Sequence, residues 1–135
     1  MKPGHILSLA AVNGLAVTAL SALGNHAFAS MMDTDGQTWF QQATNFHAFH
    51  AVAILGAVLA GIMGQQRAGT QAALLFQLGI VFFSGTLYWR ALLGPGSLGG
   101  FHWLTPLGGL LLLAGWLMLV LVGMKAARNQ PLTSP

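Results

Sequence analysis

The feature that most constrains this chain is the near-absence of charge from four long apolar stretches. Only 5% of its 135 residues are charged and 55% are hydrophobic, whereas about 25% of an ordinary soluble domain is charged. The stretches cover about residues 6–29, 46–63, 70–93 and 106–124, and an α-helix needs roughly 20 apolar residues to cross a bilayer. The sequence therefore predicts one transmembrane domain over residues 1–135, an all-α integral membrane four-helix bundle with antiparallel spans.

The first stretch has two interpretations. It ends in Ala27-Phe28-Ala29, an Ala-x-Ala motif that also marks cleaved signal peptides. However, it exceeds the usual apolar region of about 7 to 15 residues and contains Asn13 and His26. We interpret it as the first span. One helical stripe of small and polar residues is predicted to face a neighbouring helix: Ala10, Gly14, Thr18, Ser21 and Asn25.

The basic residues are topology signals. Five Lys and Arg residues in four separate places cannot form a nucleic-acid-binding patch, so nucleic acid is not an expected partner. Four antiparallel spans put Lys2, Arg67, Lys125 and Arg128 on one side of the membrane and Arg90 on the other. The positive-inside rule then predicts a multi-pass protein of the bacterial inner membrane with both termini in the cytoplasm.

The second stretch is preceded by an amphipathic approach. From Trp39 onward, aromatic and apolar residues alternate at helical spacing with Gln41, Gln42 and Asn45, which predicts a short interfacial segment before the chain turns inward. His47 and His50 follow on one helix face. Histidines inside a span are costly and are therefore candidates for a function.

Two interpretations of these histidines stay open. The chain has no cysteine, so a transition-metal site would use imidazole, and the predicted ligands are His26, His47 and His50, with His102 as a possible addition. Alternatively, His47 and His50 form hydrogen bonds across helices to Asn25, Ser84 or Tyr88. Haem binding, proton transport and hydrolysis are disfavoured because the spans lack a second histidine pair, acidic residues and a nucleophile motif.

The third and fourth stretches carry further polar and small residues. Gln77, Ser84 and Tyr88 share a face of the third span, and the indole N–H of Trp116, deep in the fourth span, needs a partner such as Gln77. A small-residue stripe is predicted on the fourth span: Gly108, Leu112, Gly115, Leu119 and Gly123. Lys125 and Arg128 are expected to end that span before a polar tail.

Antiparallel spans place most of these polar groups at one end of the bundle. With the histidines, this end holds a predicted polar rim of Asn25, Ser84, Tyr88 and Arg90. This rim is the expected working surface.

Five segments together resemble a known family. They are 22–26 (ALGNH), 46–51 (FHAFHA), 83–88 (FSGTLY), 105–109 (TPLGG) and 114–116 (AGW). In order and spacing they are similar to the YgdD/YwdK-type family of small bacterial inner-membrane proteins, over about residues 14–124. The resemblance implies a four-helix membrane protein of uncharacterised function. His26 and His50 match the family pattern, Asn25 departs from its usual alanine, and position 47 is not dependably histidine there.

The expected function is that of a non-enzymatic accessory or scaffold protein. Its partners would be the lipid bilayer and either further copies of itself or a larger membrane complex. The alternative is a metal-binding or small-molecule-binding protein that uses the rim, with a His-bound transition metal as the candidate cofactor.

Overall fold

The chain folds as a bundle of helices in a computed structural model, which describes residues 1–129. The helices are α1 (Pro3–Asn25), α2 (Thr34–Ile62), α3 (Gln66–Gly79), α4 (Gly85–Leu93) and α5 (Leu104–Asn129). A π-helical segment, Ile80–Ser84, joins α3 to α4, so the third span runs without a break over Gln66–Leu93. Four helical stretches are long and apolar enough to cross a membrane, which confirms the predicted fold class.

Helix α1 ends earlier and turns a different face inward than predicted. The backbone N–H groups of His26 and Phe28 both donate to the carbonyl of Leu23 and lead the chain out of the helix. The buried residues of α1 are Ile6, Ala10, Asn13, Val17 and Gly24. Of the predicted stripe only Ala10 is fully buried, while Thr18 and Asn25 are exposed.

The physical reason is that the small residues at this contact come from α2. Ala53 and Ala57 of α2 pack in one core cluster with Ile6 and Ala10. Because α2 supplies alanines, α1 has room to bury larger side chains. The prediction assumed that α1 itself would supply the small residues.

The amphipathic approach is not a separate segment. It forms the first turns of α2, a single helix of 29 residues that is about 43 Å long. The Oδ1 atom of Asp33 accepts a hydrogen bond of 2.7 Å from the backbone N–H of Gly36, which caps the helix start at the loop. The helix that begins there runs unbroken through His47.

Helix α2 and the third span form the centre of the bundle, with α1 packed on α2 and α5 packed on α3 and the π-helical segment. Two glycines of α5 allow this packing. A Cβ on Gly108 would meet the backbone of Phe83, and one on Gly115 would meet the ring of Phe76. Gly123 has no neighbour within 4 Å of such a Cβ, so the predicted stripe ends before it.

Helix α5 also continues past its predicted end. It reaches Asn129, so Lys125 and Arg128 belong to its last turns instead of ending it. A helix can continue beyond the bilayer because its charged residues are then in water. The predicted polar tail lies almost wholly in residues 130–135, outside the described residues.

The ends of the helices meet as antiparallel spans require. Phe40 of α2 lies against Gly24 near the end of α1, and Thr86 of α4 lies 2.7 Å from Thr105 of α5 between their hydroxyl oxygens. At the other end, the amino group of Met1 lies 2.9 Å from the Thr70 hydroxyl. We call the end that holds Asn25 the His-rich end.

Candidate functional site

The most polar part of the interior is a chain of hydrogen bonds that joins α1, α2 and the third span. The Nδ2 atom of Asn13 donates to Oε1 of Gln77 at 2.7 Å and to the carbonyl of Leu9 at 2.8 Å. The Oδ1 atom of Asn13 lies 3.1 Å from Nε2 of His47. The Nδ1 atom of His47 lies 3.4 Å from the Tyr88 hydroxyl. We call these four side chains, Gln77, Asn13, His47 and Tyr88, the Asn13 network.

The direction of each bond in the Asn13 network follows from its neighbours. The Leu9 carbonyl can only accept, so the Asn13 atom that contacts it is the amide nitrogen and the other is the oxygen. His47 must therefore donate from Nε2. In the neutral imidazole, Nδ1 is then an acceptor, and the Tyr88 hydroxyl donates to it.

His50 forms a second set of bonds, which joins α2 to α5. Its Nδ1 lies 2.8 Å from the carbonyl of Phe46, so Nδ1 carries the proton. Its Nε2 accepts a bond of 3.2 Å from the indole N–H of Trp116. His50 and His47 are thus three residues apart and hold opposite tautomers. The predicted partner of Trp116, Gln77, is wrong; Gln77 is on the α1 side of the third span, bound to Asn13.

Aromatic rings surround the His50 imidazole. The ring centroid of Phe49 lies 5.1 Å away, that of Phe76 5.7 Å and that of Phe46 5.8 Å. Both histidines are buried, with 6% of His47 and 3% of His50 exposed. Burial and aromatic packing fix the two rings in place.

The predicted metal ligands are not brought together. Within residues 1–129, no group of three or more His, Cys, Asp or Glu side chains is placed to hold a metal ion. His26 and His102 are exposed in the loops, whereas His47 and His50 are buried in the spans. A neutral imidazole has one ring nitrogen with a lone pair for a metal. In His47 that nitrogen faces the Tyr88 hydroxyl and in His50 it accepts from Trp116, so a metal would have to displace one of these side chains.

Only part of the predicted polar rim lies at the surface of the protein. Asn25 is exposed, but Ser84 is completely buried in the π-helical segment, and its Oγ has no hydrogen-bond partner within the described residues. Arg90 lies with its guanidinium carbon 4.5 Å from the centre of the Trp39 ring. Tyr88 is half-buried beneath this pair, against Phe40 and His47. Of the partners predicted for the histidines, Tyr88 is within hydrogen-bonding distance of His47, whereas Asn25 and Ser84 form no hydrogen bond with either ring within the described residues.

Sequence reasoning did not single out Asn13 as a member of the site. The signal that could have identified it is its position on one helical stripe with Ile6, Ala10 and Val17, all of which are buried. A carboxamide on the buried stripe of a span needs a partner from another helix. Gln77 and His47 were the available partners at that depth.

Two grooves run along α2. One, of about 420 Å³, runs between α2 and α5 and is lined by Asn45, Phe46, Phe49, His50, Gly109, Leu112, Leu113 and Trp116. The other, of about 400 Å³, runs between α1 and α2 and is lined mainly by small and aliphatic residues, including Gly14, Ala48 and Val52. Neither groove is lined by a charged side chain.

Comparison with known proteins gives a consistent family. Residues 20–109 match a family described as "Protein of unknown function (DUF423)". The chain is 33% identical over 132 residues to the "UPF0382 inner membrane protein YgdD" of Escherichia coli strain K12, with 96% of each chain covered. It is also 33% identical over 120 residues to a UPF0382 membrane protein of Staphylococcus epidermidis, with 88% of this chain and 94% of that one covered.

A UPF0382 membrane protein of Staphylococcus haemolyticus is 36% identical over 110 residues, which covers 77% of this chain and 82% of the relative. No solved structure matches the chain. The family match covers two thirds of the sequence, and the resemblance to the YgdD type is confirmed. The chain belongs to the UPF0382 (DUF423) family of membrane proteins, whose function is uncharacterised.

Proposed function

We propose that this chain is a non-enzymatic accessory or scaffold protein that packs with further copies of itself or with a larger membrane complex. The observation that supports the proposal is that the polar groups inside the spans are hydrogen-bonded within the bundle. Asn13, Gln77, His47, His50 and Trp116 are all bound to one another or to backbone. Hydrogen bonds of this kind join helices, and they leave few groups for chemistry.

Extraction in a mild detergent at native expression level tests this proposal. We expect the protein to migrate with a mass of at least two copies, or with a stoichiometric partner. Crosslinking in intact membranes before extraction controls for detergent-induced dissociation. A protein that stays monomeric and partner-free in both experiments would contradict the proposal.

A second candidate function is the binding of a small apolar molecule, which the groove between α2 and α5 favours. Its volume of about 420 Å³ is within the usual range for ligand sites, roughly 300 to 1,000 Å³. His50 and Asn45 belong to its lining, but the surface that the groove presents is almost wholly apolar, which suits an apolar ligand. Metal binding is less well supported than binding of an apolar molecule, because the lone pairs of His47 and His50 already face hydrogen-bond donors.

Metal analysis separates these forms of the second candidate. We expect protein purified without a His-tag to contain much less than one equivalent of Zn, Cu, Fe or Ni, with equal amounts in a His47→Ala/His50→Ala variant. The reason is that His47 and His50 are bound to Asn13 and Trp116. One equivalent of metal in the original protein that is lost in the variant would support metal binding by these histidines.

The proposed orientation places both termini in the cytoplasm, which puts the His-rich end on the outer side. Four of the five basic residues lie at the opposite end by the antiparallel order of the spans. We expect a C-terminal alkaline phosphatase fusion to be inactive and a C-terminal green fluorescent protein fusion to fluoresce. The opposite pair of results would invert the orientation.

A further inference from the structure

The amphipathic start of α2 has polar side chains that the bundle does not use. The buried side of this segment consists of Gly36, Phe40, Ala43, Thr44 and His47. On the opposite side, Gln41, Gln42 and Asn45 are exposed. The Nε2 atom of Gln41 donates to Oδ1 of Asn45 at 2.9 Å, a bond within α2 itself.

The depth of these carboxamides makes their exposure costly. Helix α2 ends at Ile62, and counting back the ~20 residues that cross the hydrocarbon places Asn45 just inside it, with Gln41 and Gln42 at its edge. The Trp39–Arg90 contact, typical of the interface, lies about 9 Å nearer the surface than Asn45. Polar groups that face hydrocarbon need a hydrogen-bonding partner.

The exposed face continues from Asn45 along the whole length of α2. One row of exposed residues alternates steps of four and three, which is the spacing of a coiled-coil contact: Gln41, Asn45, Ala48, Val52, Leu55 and Leu59. We call this row the α2 seam. It carries no charge, and 65% of Val52 and 60% of Leu59 are exposed.

One observation and a symmetry argument indicate that a second copy of the chain covers the α2 seam. Within residues 1–129, the Gln41–Asn45 bond leaves the amide hydrogens of Asn45 and the carbonyl oxygen of Gln41 free, so each copy offers both a donor and an acceptor. Two copies that are inserted in the same direction and bury the same face are related by a two-fold axis perpendicular to the membrane. Such an axis brings identical residues to identical depths, so carboxamide meets carboxamide.

The shape of the seam fits the same occupant. Ala48 is small enough for close approach of two helices, and Ala48, Val52 and Leu55 also line the groove of about 400 Å³ between α1 and α2. That groove gives space beside the seam for side chains of a second α2. A lipid chain fills apolar space but offers no hydrogen-bonding partner to Asn45 at this depth.

We propose that two copies of the chain associate in the membrane along the α2 seam, with the carboxamides of Gln41 and Asn45 fixing the register. This inference rests on the proposed packing function and names its surface. Polar residues at one position of an otherwise apolar seam are an established way to set register and the number of helices, and in the α2 seam Gln41 and Asn45 stand together at one end.

Cysteine crosslinking tests the seam without background, because the chain has no cysteine of its own. We expect Ala48→Cys and Val52→Cys variants in native membranes to form a disulfide-linked dimer on mild oxidation. Matched controls are Leu15→Cys on α1 and Leu117→Cys on α5, which are 74% and 60% exposed and lie off the seam. We expect no dimer from the controls.

A second measurement tests the role of the carboxamides. In lipid vesicles, the dimer dissociation constant from energy transfer between labelled copies should rise about tenfold in a Gln41→Leu/Asn45→Leu variant, which corresponds to about 1.4 kcal/mol. Gln71→Leu, which removes an exposed carboxamide of α3, should leave the constant unchanged. Helical circular dichroism checks that each variant is folded.

The outcomes separate the seam from the broader proposal. Crosslinking at Leu15→Cys or Leu117→Cys instead of the seam would overturn the inference but keep self-association. A partner protein that crosslinks to the seam would overturn the second-copy occupant and leave the accessory function standing. Absence of any crosslink at the seam, with lipid alone around it, would also overturn the inference.

Discussion

Replacing Gly108 by valine is expected to be the most damaging single change in the described structure. A Cβ at this position would meet the backbone of Phe82 and Phe83, and backbone cannot move aside as the end of a flexible side chain can. Overpacking of this kind costs about 1 to 3 kcal/mol and occasionally more. We expect a loss near or above ~3 kcal/mol in the free energy of unfolding, measured by denaturation in detergent.

Gly123→Val is the matched control on the same helix. Nothing lies within 4 Å of a Cβ at Gly123, and valine there replaces one lipid-facing surface with another. We expect an unchanged unfolding midpoint. Equal stability of the two variants would mean that α5 does not pack against the π-helical segment as described.

Replacing Asn13 by leucine is expected to cost about 2 to 4 kcal/mol of unfolding free energy. The change leaves the Nε2–H of His47 and the Oε1 of Gln77 without their partner, and each buried group left unpaired costs about 1 to 3 kcal/mol. Leucine has the same branching and the same number of side-chain heavy atoms as asparagine, so the change mainly removes hydrogen bonds. Denaturation in detergent measures it, with the exposed Asn25→Leu as a control expected to stay within ~0.5 kcal/mol.

A double-mutant cycle gives a sharper result for the Asn13 network. His47→Leu alone should also destabilise, but Asn13→Leu/His47→Leu should be less destabilised than the sum of the single changes, because the second change removes a group that the first left unpaired. Strict additivity would indicate that the two side chains do not interact, and the tautomer assigned to His47 would lose its basis.

The sequence predicts the parts of this fold that depend on composition and helical period. Four apolar stretches give four spans, and Gly108 and Gly115 give the close contact of α5. The predictions that are wrong concern which of two neighbouring helices supplies the small residues at their contact. The predicted inward face of α1 was wrong because Ala53 and Ala57 of α2 provide the small residues at this contact. The sequence of α1 alone does not contain that information.

The candidate site was predicted at the level of residue types and not of contacts. His47 and His50 were identified from their cost in a span, and Tyr88 was among the predicted partners. That each histidine uses both ring nitrogens depends on the register between helices, which places Asn13 beside one ring and Trp116 beside the other. Spacing within α2 gives no information on that register, so the sequence left both the metal site and the structural bonds open.

The length of α2 has a consequence for the surrounding bilayer. At 29 residues it is six residues longer than α1, a difference of about 9 Å, and its first turns are largely polar, with Asp35, Gln37 and Thr38. Only a hydrophobic stretch longer than the hydrocarbon makes a helix tilt or the bilayer thicken, so polar turns of this kind extend into the headgroup layer instead. The start of α2 therefore reaches the headgroups, and we expect a change in headgroup chemistry to affect this segment more than a change in acyl-chain length.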